Sequence, residues 1–164
     1  MSLLPPLTAA GLALSLLGAG ISGYLTVEHG QGAGPICVFG QGCEVVSQST
    51  YASLWGVPTA AFGLLMYLSL TVLYGVRIFA SPPLQVEQAF RIAATAVILA
   101  GTGVSAWLTY VELYVLYAVC IWCVASAAIV TLLLAAAVAD LLQRRNRGPS
   151  STPGSGACDT GPLR

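Results

Sequence analysis

Two cysteines three residues apart, Cys120 and Cys123, sit inside the apolar run Tyr114-Val-Leu-Tyr-Ala-Val-Cys-Ile-Trp-Cys-Val-Ala-Ser126. A thiol pair at this spacing can make a reactive disulfide or contribute to a metal site. On a regular helix, residues i and i+3 carry Cβ atoms about 5–6 Å apart, whereas a disulfide wants about 3.5–4.5 Å. Closing the bond therefore stores strain, and strained disulfides exchange rather than staple. The alternative is a pair of inert buried thiols, since free cysteine packs as a small hydrophobe. Spacing alone leaves both open.

A second pair, Cys37 and Cys43, lies in the long polar loop between apolar segments. Glycines at positions 30, 32, 34, 40 and 42 make this a segment able to swing. On an oxidising side of a membrane such a pair closes into a disulfide. A loop so rich in glycine gains little architecture from a small ring, so exchange is favoured over a staple. Cys158 falls in a tail expected on the reducing side and reads as dispensable. His29 is the single histidine, and a Cys/His metal centre would want a second imidazole or more thiols beside it, so no metal site is expected. Glu112 reads as a solvated charge at the end of a span. Trp107, Tyr110, Tyr114, Tyr117 and Trp122 cluster near the CxxC. They form either an interfacial aromatic belt or a flat-walled pocket suited to a quinone ring.

The elements that must position these residues are helices in lipid. The chain of 164 residues is 57% hydrophobic and 7% charged, with no lysine. Soluble domains run about 45–50% apolar and about 25% charged. Segments 7–27, 58–79, 89–110 and 114–142 each approach or exceed the roughly 20 apolar residues that a spanning helix needs. The first lacks a charged start and is long for a signal-peptide core, so it reads as a retained span. With four spans, Arg77, Arg91, Arg144, Arg145, Arg147 and Arg164 all fall on one side. That side is expected to be cytoplasmic, with both termini there and the cysteine loop outside. Net charge is zero, which offers nothing to nucleic acid.

The stretch Glu44–Trp55 reads as a short amphipathic helix lying in the interface. The fourth span, begun at Tyr114, puts the CxxC about two turns, or roughly 10 Å, below its outer end. There the helix dipole offers a thiol little. The expected architecture is an all-α integral membrane protein: a four-helix bundle over residues 1–147 with a horizontal half-helix outside, then a disordered tail over 148–164.

The arrangement resembles the bacterial homologues of vitamin K epoxide reductase. The resemblance rests on the pair Cys37…Cys43, on Cys43-x-x-Val46-x-x-Ser49, on Trp55-Gly-Val-Pro58 and on Cys120-Ile-Trp-Cys123, and it covers about residues 7–145. It implies a disulfide oxidoreductase of a bacterial cell membrane, built around a quinone (menaquinone or ubiquinone). Carried over, Cys37 exchanges with a separate exported thioredoxin-like (DsbA-like) partner, and Cys43 passes electrons to Cys120. Cys123 then reduces the quinone. Ser49 belongs to the active site in the family, and Ser49, Trp122, Tyr117 and Cys123 are the expected quinone contacts. On an ideal helix Ser49 would stand about 240° from Cys43, so both face one spot only if that helix is interrupted or begins late. Vertebrate members hold the vitamin K carbonyls with a tyrosine one turn after the CxxC and an asparagine in the second span. Here the first position is Ala127 and the one asparagine is Asn146, so the resemblance assigns no quinone donor. Some members carry a fused thioredoxin-like domain; none is read within these 164 residues, so the resemblance leads to the expectation of a separate partner protein.

A rival from another class is a small heavy-metal transporter handing a soft ion between thiol pairs. Such a route wants a thiol or carboxylate within the inner half of the bundle, and Glu87 and Asp140 lie only at its inner edge.

Overall fold

The computed structural model describes residues 4–32, 35–36, 42–54, 56–80 and 83–146, without the side chains of 4–6, 54 and 144–146. Cys37, Trp55, Arg147, Cys158 and the tail lie outside the described residues. Four long helices dominate: α1 (Leu4–Gly30), α3 (Thr59–Phe79), α4 (Leu84–Val111) and α5 (Ile121–Asn146). All four are long and apolar enough to cross a membrane. The protein is an all-α membrane bundle, as the apolar runs predict.

The helices are bound by small residues and a few polar ties rather than by wide hydrophobic burial. Hydrocarbon gives apolar side chains little reason to associate, so close backbone approach matters more. At Gly18 the Tyr67 ring occupies the space that a Cβ would fill, which draws α1 tightly onto α3. The Tyr67 hydroxyl donates to the Ser126 carbonyl at 3.1 Å and pairs with its hydroxyl at 3.0 Å, tying α3 to α5. Thr71 donates to Ser15 at 3.1 Å, a second tie between α3 and α1. Tyr67, Leu70, Tyr74, Ala94, Ile98, Ile129 and Leu133 form the core around these ties. Outward-facing Leu65, Val72, Ile92 and Leu132 stay exposed along the helices, a surface suited to lipid.

One end of the bundle carries the described arginines. Arg77 and Arg91 both face Glu87, at 3.7 and 3.9 Å, and Arg91 also pairs with Asp140 of α5. The other end carries the cysteines and a small cap. The cap comprises α2 (Gly42–Ser47), a 3₁₀ turn (Thr50–Ala52) and a minimal hairpin of β1 (Ser53–Leu54) with β2 (Val57–Pro58), turned at Gly56 with φ +80°.

Three local readings of the sequence are corrected. The amphipathic helix expected over residues 44–55 is only six residues long. The hydroxyls of Ser47 and Ser49 donate back to the Glu44 and Val46 carbonyls, at 3.0 and 2.7 Å, taking up acceptors at the point where the helix ends. Span three begins at Leu84, five residues before the expected Ala89. The fourth helix begins at Ile121, seven residues after the expected Tyr114. Between α4 and α5, residues Glu112–Leu116 widen into a π-turn, and Tyr117 adopts a left-handed conformation at φ 49°. A left-handed tyrosine costs roughly 1–2 kcal/mol. It lets the chain reverse, with the Ala118 N–H returning to the Glu112 carbonyl at 3.1 Å.

Candidate active site

The late start of α5 changes the chemistry of the CxxC. Cys120 immediately precedes the helix and Cys123 lies in its first turn. The Cys120 carbonyl accepts the Val124 N–H at 3.0 Å, so Cys120 is the residue that caps the helix. The pair therefore occupies a helix N-terminus, not a position two turns inside one. Both thiols are free. Cys120 lies just outside the spanning segment, and its thiol is lowered to about 7. The largest cause is a hydrogen bond from the Cys123 thiol; burial opposes it, and the N–H groups of Cys123 and Trp122 assist. Those two N–H groups belong to the second and third helical residues, which a capping acceptor normally satisfies. The helix end thus adds a smaller share to the lowering of the Cys120 thiol.

Glu112 is the residue that sequence reasoning placed wrongly. It is 4% exposed, not a solvated charge. The π-turn folds it over the start of α5, where its Oε2 accepts the Cys120 N–H at 3.3 Å. The Cys123 thiol interacts with the same carboxyl. Its Oε1 is buried and has no hydrogen-bond partner among the described residues. A signal existed in the sequence: one acidic residue within an apolar stretch, eight positions before the first cysteine of the motif. Ionisable groups at such places are costly and mark function by default.

The cap supplies the second sulfur. Cys43 is disulfide-bonded, and its bonding partner is outside the described residues. It sits in the first turn of α2 and is 1% exposed. Gly42 makes this possible, because the Val119 carbonyl stands where a Cβ would project. The backbone before α5 thus comes directly against the start of α2. Cys43, Ser49, Glu112, Cys120 and His29 line one cavity whose remaining walls are mainly apolar.

A family model for the vitamin K epoxide reductase family matches residues 9–138, most of the chain and all four paired cysteines. The chain belongs to this family. No curated protein matches it. Membership makes it a membrane thiol–disulfide oxidoreductase, and the matched segment stops short of Cys158.

Other residues expected to act in this vitamin K epoxide reductase family member fall in different places. Ser49 lines the cavity with Cys43 because α2 stops at Ser47, which removes the 240° conflict. Trp122 is half-buried against Tyr24, with ring centroids 5.1 Å apart, and its Nε1 donates to the Ile36 carbonyl at 3.0 Å. It therefore ties α1, the loop and α5 together. Tyr117 is 85% exposed. Neither aromatic lines the cavity, nor does Cys123. Trp107, Tyr110 and Tyr114 form a stacked ladder, with centroids 6.0 and 5.1 Å apart, on the outside of the bundle. At about 80 Å³ the cavity is well below the roughly 300 Å³ of a small-molecule site. It does not admit a quinone ring as it stands.

Proposed function

We propose that this chain oxidises an exported thioredoxin-like (DsbA-like) protein through two successive disulfides and delivers the electrons to membrane quinone. The observation that carries the reading is the shared cavity. It brings a disulfide-bonded Cys43 and a free Cys120 thiol to one small space, with Cys123 one helical turn deeper. Thiol–disulfide exchange needs an attacking thiolate and a leaving sulfur of low pKa. Cys120, lowered to about 7, answers the second requirement at the step in which Cys37 resolves a Cys43–Cys120 disulfide and Cys120 leaves.

In this relay Cys37 exchanges with the partner and Cys43 attacks Cys120. An oxidised loop above a reduced CxxC is the state left after electrons have moved inward. Ser49 is a polar wall of the exchange space. Its hydroxyl is already committed to the Val46 carbonyl, so it serves by shape and dipole rather than as a free donor. Quinone, menaquinone or ubiquinone, is the terminal acceptor that family membership suggests. The cavity's size gives no ground for deriving a step through it, and the relay is derived only as far as Cys123. The arginine end is cytoplasmic in this reading, which puts the cap and its cysteines on the outer face of the cell membrane. Residues 1–147 act as one catalytic bundle and 148–164 as a tail.

The test uses the full chain in vesicles containing menaquinone or ubiquinone and a reduced thioredoxin-like protein outside. Partner thiols should disappear in step with quinol appearance, one disulfide per quinol. Loss of thiols without quinol, or no loss at all, would contradict the proposal.

A further inference from the structure

We propose that Glu112 is a catalytic proton carrier for Cys123 in the exchange between the loop and the CxxC. The inference rests on the relay reading and deepens it. A buried carboxyl must be satisfied by a proton, a cation or several donors. Glu112 has one backbone donor on Oε2, the Cys123 thiol beside it, and nothing on Oε1 among the described residues. Among those residues, no guanidinium or ammonium group is paired with it. The other titratable groups facing the cavity are His29 of α1, Tyr51 of the cap, Cys43 of α2 and Cys120. Cys120 and Glu112 both interact with Cys123, and of these two the carboxyl is the oxygen acid and base at hand.

The step balances within the chain. The Cys43 thiolate attacks Cys120 Sγ of the Cys120–Cys123 disulfide. The Cys43–Cys120 bond forms, the Cys120–Cys123 bond breaks, and Cys123 leaves with the electron pair. The Glu112 carboxyl gives its proton to that sulfur and becomes a carboxylate. The second loop thiolate then attacks Cys43, closing the loop disulfide and releasing Cys120 to the helix end. Two electrons have moved inward. The two protons given up by the loop thiols balance the one that re-protonates Glu112 and the one that Cys120 gains.

Glu112→Gln keeps an oxygen for the Cys120 N–H and a similar volume, yet cannot exchange a proton. Two readouts apply to the full chain in detergent. In a Cys120→Ala background, alkylation of Cys123 by iodoacetamide should follow pH in two steps, because thiol and carboxyl titrate as a coupled pair. Adding Glu112→Gln should leave one step, and Glu112→Asp should retain two. In the chain with all its cysteines, the single-turnover rate of CxxC reduction by the loop should fall about 100-fold in Glu112→Gln, the scale of a lost general acid. Superimposable pH profiles with and without Glu112→Gln would overturn the proposal, as would an unchanged exchange rate. If loop and CxxC fail to exchange in the unaltered chain as well, the relay itself is overturned.

Discussion

The two ends of the bundle bury carboxyl groups in opposite ways. At one end Glu87 and Asp140 meet the guanidinium groups of Arg77 and Arg91 across α3, α4 and α5, and Arg77 lies 5.9 Å from the Tyr74 ring centroid. At the other, Glu112 meets the Cys123 thiol and the Cys120 backbone N–H. Opposite charges held together fix helices in register and do little else. A carboxyl kept from water beside sulfur, with no paired cation among the described residues, is a costly group placed where the proposed relay moves protons. The bundle therefore separates its labour: architecture is locked at the arginine end, and reactive chemistry sits under the cap at the cysteine end.

The strongest way to break that division is to displace the cap. Gly42→Val forces a branched side chain into the Val119 carbonyl and pushes Cys43 away from Cys120. Misplacement of about 1 Å costs on the order of 100-fold in rate. Single-turnover exchange between loop and CxxC should fall by that scale, while the melting temperature of the bundle changes little. A large loss of stability with normal exchange would contradict the assignment of Gly42.

Arg91→Gln should do the reverse. It removes the guanidinium that faces Asp140 and Glu87, where the side chains are 11%, 18% and 29% exposed. Breaking a buried pair costs about 3–5 kcal/mol, and partial exposure reduces this to about 1–3 kcal/mol. Thermal unfolding should occur at lower temperature, and the pH profile of Cys120 alkylation should not move. Any shift in that profile would show that the two ends are coupled.

The smallest effect sharpens the cysteine end itself. With its thiol at about 7, Cys120 is mostly protonated below that pH and mostly thiolate above it, so its alkylation rate should rise through pH 7. Cys123→Ala deletes the hydrogen bond that is the largest cause of this lowering. The midpoint should then move upward, toward the ordinary cysteine value of about 8.5. Alkylation at pH 7 should slow accordingly. A midpoint that stays near 7 in Cys123→Ala would assign the lowering to the helix end alone.

These residues also mark where the sequence was readable. Four spans and the position of the arginines follow from apolar length and charge, quantities that lipid enforces strictly. The family was legible too, since Cys37…Cys43 and Cys120-x-x-Cys123 are literal strings. The start of α5 was not. Tyr114–Val119 contains no glycine or proline, and the turn is made by a π-turn and a left-handed tyrosine that propensity would not choose. Missing that turn hid both the helix-capping position of Cys120 and the burial of Glu112. The cap was misread for a related reason: serine hydroxyls bonding to preceding carbonyls end α2 at Ser47, and hydrophobic pattern cannot register such bonds.

The most direct test of the account is the disulfide that should join the two redox pairs. In Cys123→Ser the resolving thiol is gone, so Cys120 can attack the loop disulfide but cannot be released inward. The account predicts a trapped Cys43–Cys120 disulfide, seen by mass spectrometry of the alkylated and digested full chain. Recovery of Cys120 as a free, alkylated thiol, with Cys43 still in its original disulfide, would contradict it.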